Sequence, residues 1–346
     1  MLIDYNMSRD YCSDWTATDA IREIVQNALD SGQNYECDIL EKEISVLTKN
    51  TVLSPRVFSM GVSEKSEGAI GKYGEGFKIA MLVLTRLGHN PLIFTGNYTV
   101  SGLFKEHEFT GVETFCLRVE DSYTVFDGTQ FVCSSVNIDV EDVQSKILPF
   151  TIKDMAMPDK VDIWQDRPGE IFVNGLFVTK ADLVFGYNFA PSNIDLNRDR
   201  NMVGGLYWQL AQYYGELGAS KAELLFNLVE RDAPDVQDLS YWLDDNKLKA
   251  ELAKLFFNKY GDGVKISKPG TSYFGGHGSV SVSSSASRVY SKCGIKEAKK
   301  AIDPDAPDQV LTDWREANKS KLRRDLRKSL DKVITRSKGW KKADIM

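Results

Sequence analysis

In the stretch Glu23-Ile-Val-Gln-Asn27-Ala-Leu-Asp30-Ser-Gly32, two carboxylates and an amide stand at i, i+4 and i+7. At about 100° per residue the three fall within roughly 60° of one another on a helix. They therefore share one face, opposite an apolar stripe of Ile21, Ile24, Val25, Ala28 and Leu29. A carboxylate can polarise a water, an amide oxygen one turn later can ligate a hard cation, and a second carboxylate can contact the polar edge of a ligand. The set suits hydrolysis of a nucleotide held by magnesium. The same groups would also make an ordinary water-facing side of an amphipathic helix, and it is the order of types that favours the chemical reading.

A second element is Ile70-Gly71-Lys72-Tyr73-Gly74-Glu75-Gly76-Phe77-Lys78, where glycines spaced G-x-x-G-x-G open an apolar helix. Free backbone N–H groups at such a helix start form a nest for phosphate. The order is neither that of a P-loop nor the G-x-G-x-x-G of dinucleotide folds, so Walker-type and Rossmann readings lose their main support.

With both elements in view, the chain resembles the GHKL ATPases, the superfamily of gyrase B, heat-shock-90, histidine kinase and MutL types, and its motif style is nearest to MutL and Microrchidia-like members. Glu23, Asn27 and Asp30 occupy the matching positions of that family's N box, and Gly71 to Lys78 resemble its second glycine box. Gly61-Val-Ser63-Glu-Lys65 is similar to the G-x-S-x-K of the family's nucleotide lid, and Gly128-Thr129 to a strand whose threonine lies near the base. The resemblance spans roughly residues 15–140. It implies a Bergerat-type fold, ATP and Mg²⁺ as cofactors, Glu23 as general base, Asn27 as magnesium ligand, and nucleotide contacts from Asp30, Ser63, Lys65, Gly71, Lys72, Tyr73, Gly74, Glu75, Gly76, Phe77, Lys78 and Thr129. One feature departs from the pattern. Where the family has an aspartate in a D-x-G-x-G box, this chain reads Leu47-Thr-Lys-Asn50-Thr-Val-Leu-Ser, leaving Asn50 as the substitute base reader. An asparagine oxygen can accept from an adenine amino group but carries no charge and can flip its amide.

These residues need elements to position them. The spacing predicts a first helix starting near Thr18-Asp19 and stopped by Gly32, a strand around Ile44–Leu47, and a deeply buried helix over Phe77–Leu87. Strands follow at Leu92–Thr95, Tyr98–Phe104, Glu113–Val119 and Gly128–Val136, separated by Gly and Asp turns. Asn174-Gly175 between Ile171-Phe-Val and Leu176-Phe-Val reads as a tight hairpin. The expected class is α+β: a sandwich with helices on one face of a mixed, largely antiparallel sheet, then a transducer-like β unit and a helical C-terminal region. The expected division is an ATP-binding domain at 1–145, the β unit at 146–204, a helical region at 205–260, and at 261–346 a Gly/Ser-rich linker with a basic C-terminal helix.

Beyond the two boxes, Arg198 and Arg200 in Asn197-Arg-Asp-Arg-Asn are candidates for sensing a terminal phosphate, or simply a surface ion-pair cluster. Over the whole chain the net charge is −6, but residues 319–346 hold eleven Lys/Arg against three Asp, so the body is acidic and the tail basic. The tail can meet nucleic-acid phosphates, or dock through Leu322, Leu326 and Leu330 on the body or another subunit. Five scattered cysteines form no C-x-x-C pair, against a disulfide framework or zinc site and in favour of a reducing cytoplasm. The longest apolar run, Ile79 to Leu84, is far too short to cross a bilayer. The sequence therefore points to an ATP-dependent homodimerising switch with slow hydrolysis. The alternative is a nucleotide-binding adaptor that presents its helical region or tail to a partner.

Overall fold

The computed structural model describes residues 1–32, 34–40, 43–59, 75–134, 138–153, 155, 158–196, 203–267, 278–298, 307–319 and 322–337. The chain forms two compact units, Met1–Gln209 and Leu210–Met346, taken separately below.

The first unit is α+β. Its strands β1 (Leu2–Ser8), β2 (Tyr35–Leu40), β3 (Glu43–Lys49), β4 (Asn90–Glu106) and β5 (Glu113–Ser134) make one antiparallel sheet. The 22-residue β5 is its spine. One edge of β5 pairs with β1 through Arg118 to Thr114 and with β3 through Gly128 to Ser134, while β4 runs along the other. The four strands expected between Leu92 and Val136 are thus two long ones. At Gly96, φ is +54° and the register slips on both sides, so the expected turn is a bulge that kinks β4 without taking it out of the sheet.

Helices α1 (Ala17–Asp30) and α2 (Gly76–Arg86) pack on each other and on this sheet. Directly opposed residues build the inner face in rows: Val46, Phe131 and Ile93 form one, Ile44 and Cys133 the next, all at most 2% exposed. The N-cap of α1, Thr16, lies two residues before the expected start at Thr18. Thr16 and Asp19 form the reciprocal capping box, because Thr18 is buried and donates to Asp142 Oδ2 at 2.6 Å. Every residue of α2 from Lys78 to Leu84 is buried, as its apolar run requires.

After α3 (Val140–Lys146), strands β6 (Val161–Trp164), β7 (Glu170–Val173), β8 (Leu176–Lys180) and β9 (Gly186–Phe189) make a second sheet in the order β6-β9-β7-β8. The hairpin between β7 and β8 turns through Asn174 (φ +49°) and Gly175 (φ +77°), the left-handed pair that a two-residue type I′ loop needs. Ile147 and Leu176 bridge, joining this sheet to the core of the first. The short strands β10 (Asp195–Leu196) and β11 (Val203–Gly204) pair with each other, and α4 (Leu206–Glu216) follows.

The second unit packs α5 (Ala222–Glu230), α6 (Asn246–Tyr260) and α7 (Ser284–Lys292) around Leu225, Leu252, Phe256 and Tyr290. In the Gly/Ser-rich stretch, β12 (Lys265–Ser267) and β13 (Ser279–Ser281) pair in parallel, and α7 begins at Ser284. Order there comes from side chains a composition count overlooks: Ile266 is fully buried, and Ser283 caps α7 while donating to Asp232 at 2.5 Å. Last come α8 (Pro307–Ala317) and α9 (Arg324–Ser337), a helical hairpin tied by Arg315 to Asp331 at 2.6 Å. Among the described residues no helix is long and apolar enough to cross a membrane.

Candidate functional site

The polar face of α1 is largely withdrawn from water around Glu23. Glu23 is 6% exposed and its carboxylate lies against Gly76, the first residue of α2, so closely that a Cβ on Gly76 would overlap Glu23 Oε2. Gln26 on the same helix is also buried, whereas Asn27 and Asp30 are half-buried. An ordinary solvated face would leave its carboxylates exposed, and Glu23 is not.

Glu75, the N-cap residue of α2, makes no side-chain cap. Lys78 N and Ile79 N donate to Glu75 O at 3.0 and 3.1 Å, so what the start of α2 offers an anion is the positive end of its dipole. Two residues in, Lys78 is fully buried, and its Nζ donates to the carbonyl of Ser59 at 2.5 Å and sits 5.1 Å from the centre of the Phe77 ring. Burial pushes the Lys78 ammonium down to about 8, against the opposing pull of Glu75. The first turn of α2 thus carries a buried lysine and the positive end of a helix, and its first residue lies against a buried carboxylate of α1.

Beyond the apolar rows, the inner face of the sheet carries three threonines side by side, Thr48, Thr129 and Thr95 on β3, β5 and β4. Thr129 donates to Thr51 O at 2.6 Å, so the 2.9 Å contact between the two hydroxyls has Thr95 as donor, and Thr95 in turn accepts from Leu53 N at 2.8 Å. This relay pins the segment after β3 to the sheet. Asn50 begins that segment, exposed and with φ +58°, a conformation that asparagine tolerates better than most residues.

Of the expected site residues, Glu23, Asn27, Asp30, Asn50, Glu75, Gly76, Phe77, Lys78 and Thr129 are described. Ser63, Lys65, Gly71, Lys72, Tyr73, Gly74, Arg198 and Arg200 lie outside the described residues. Sequence reasoning missed Thr48 and Thr95, which only strand register aligns with Thr129, and the tie from Lys78 to Ser59. Among the described residues no group of three or more His, Cys, Asp or Glu is arranged around a common metal position. Burial holds the Cys37 and Cys133 thiols up at about 12, too high for either to be a nucleophile near neutrality.

No family model matches the chain. It is 28% identical over 224 residues to an uncharacterized protein of Mycoplasma pneumoniae, covering 58% of this chain and 88% of that one. Among solved structures, the B-subunit of the DNA gyrase from Myxococcus xanthus aligns with a TM-score of 0.32 and 8% identity, over 66% of this chain and 92% of the other.

Proposed function

We propose that the chain binds ATP with magnesium and hydrolyses it slowly, using the nucleotide to drive a conformational change that brings two copies together. The observation that carries this reading is the buried Glu23 carboxylate beside the uncapped start of α2, in the motif order of the GHKL ATPases. Glu23 is the general base: it takes a proton from the attacking water as oxygen bonds to the γ-phosphorus, and the bond to the bridging oxygen breaks with its electron pair leaving on ADP. Gly71 to Lys78, with Ser63 and Lys65, cradle the phosphates, and Arg198 or Arg200 senses the terminal one. Asn50 reads the base with Thr129 near it, and Asp30 contacts the polar edge of the nucleotide.

A half-buried amide one turn from a carboxylate fits magnesium, which takes few protein ligands and completes its shell with phosphates and waters. Asn27 would hold it, and the ion would neutralise charge on the phosphates. No other described residue is assigned to it.

Measuring ATP binding and turnover in Glu23→Gln and Asn27→Ala tests the proposal. Glu23→Gln should keep ATP affinity and lose roughly 10²-fold in turnover, accumulating as an ATP-dependent dimer in light scattering. Asn27→Ala should lose magnesium-dependent binding. ATP binding without turnover above the Glu23 variant would leave the adaptor reading; wild-type affinity in Asn27→Ala would remove the main support for the site assigned here.

A further inference from the structure

On α9, Arg324, Lys328 and Lys332 stand four residues apart and all are exposed. At 1.5 Å and 100° per residue, each is raised by about 6 Å and turned by about 40° from the last, so the three form one row along the helix. The sequence continues the spacing to Arg336. Among the described residues no carboxylate pairs with any of the three. The acidic residues of α9 are engaged elsewhere, Asp325 by Arg323 at 3.2 Å and Asp331 by Arg315.

Like charges at i, i+4 repel and weaken a helix by about 0.2–0.5 kcal/mol per pair. This row therefore lowers the stability of its own helix, and an external polyanion would reverse that loss. We infer that the row formed by Arg324, Lys328 and Lys332 is a docking surface for the phosphate backbone of a nucleic acid. An evenly spaced line of one sign, with no acceptor or carboxylate along it, complements a regularly charged strand and offers no means of reading bases. This surface is independent of the nucleotide site, and the net charge of −6 leaves the rest of the chain unattractive to polyanions.

The test is fluorescence anisotropy of labelled 30-nucleotide single strands and 30-base-pair duplexes with full-length protein, from about 50 to 300 mM salt and without ATP. Wild type should bind with micromolar affinity at low salt. R324E/K328E/K332E should lose at least tenfold, with a log–log salt slope shallower by about 2–3. The charge-preserving R324K/K328R/K332R should bind like wild type. So should K221E/K247E/K292E, which makes the same net-charge change on exposed lysines elsewhere in the second unit. Circular dichroism confirms folding of each variant. Absence of nucleic-acid binding by wild type would overturn the proposal, as would equal losses in the two charge-reversal variants. Binding to anionic vesicles or polyglutamate alone, dependent on the row, would also overturn it.

Discussion

The Glu23 carboxylate and Gly76 occupy adjoining space so tightly that position 76 has room for a hydrogen and no methyl. Gly76 needs no unusual backbone: it is the first residue of α2 and has no positive φ. Its side-chain absence serves the neighbour on α1. Gly76→Ala should leave stability within about 1 kcal/mol, since alanine is the better helix former, yet push Glu23 aside. Turnover should fall by roughly 10²-fold with ATP affinity changed only a few-fold, because a small displacement of a catalytic group is expensive. Unchanged turnover would show that the position of Glu23 does not matter to the chemistry.

Lys78 links stability to pH. Its folded value, about 8, lies below the ordinary 10.5, so the unfolded chain holds more protons between these limits. The burden of the buried charge is fully present below pH 8 and is relieved as pH rises towards 10.5. Against Lys78→Met, wild type should gain on the order of 1–3 kcal/mol between pH 7 and pH 10 in urea denaturation. A pH-independent difference would mean that Lys78 titrates normally. ATP affinity should weaken as pH passes about 8, since phosphate needs the ammonium.

The threonine relay separates anchoring from base reading. Thr95 is fully buried, and Thr95→Val strips Leu53 N–H and Thr129 of a partner while keeping the shape, so a loss of about 1–3 kcal/mol is expected. Asn50→Gly retains the positive φ and removes only the side chain. It should leave stability nearly unchanged while erasing whatever preference for ATP over GTP the parent has. Preference surviving in Asn50→Gly would place base reading elsewhere.

How far the sequence carried these residues depends on the range of the interaction. Helices α1 and α2, the Asn174-Gly175 hairpin and the α+β class follow from periodicity and turn chemistry, which are local, whereas the short α3 was not expected. The fusion of four expected strands into β4 and β5 was illegible, because Gly96 reads equally as a turn or a bulge until its partner strand is known. Thr48 and Thr95 were invisible for the same reason: each gains meaning only from the register that sets it beside Thr129. The burial of Glu23 likewise depends on α2 arriving more than 50 residues later.

Arg86, at the end of α2, was not visible as a functional residue at all. Its guanidinium donates to the carbonyls of Arg9, Tyr11, Cys12 and Trp15 at 2.9–3.3 Å. The far end of α2 thereby holds the loop that leads into α1, the helix that carries Glu23. Arg86→Lys cannot span four acceptors with one ammonium. It should lower stability by about 1–3 kcal/mol and reduce turnover more than ATP binding, measured by denaturation and steady-state kinetics. Loss of stability with wild-type kcat would confine Arg86 to the scaffold.

In the second unit, Glu230 on α5 plays the corresponding part. Its side chain, 11% exposed, accepts hydrogen bonds from Lys259 at 2.5 Å and from the hydroxyls of Tyr260 and Tyr290, so one carboxylate ties α5 to both α6 and α7. Burial alone would raise its pKa, but the hydrogen bonds from Lys259, Tyr260 and Tyr290 outweigh burial and hold the carboxyl below the ordinary range. A depressed carboxyl contributes stability that is present above the unfolded value of about 4.5 and lost as pH falls through the folded one. Glu230→Gln keeps the shape and removes the charge, so at pH 7 it should cost about 2–4 kcal/mol. The gap between wild type and variant should then narrow steadily below pH 4.5, because acid protonates the parent into a similar neutral acceptor. Urea denaturation at pH 7, 5 and 3.5, followed by tyrosine fluorescence, reads this directly. A difference that stays constant across the three would show that shape and packing at Glu230, and not its charge, hold the three helices together.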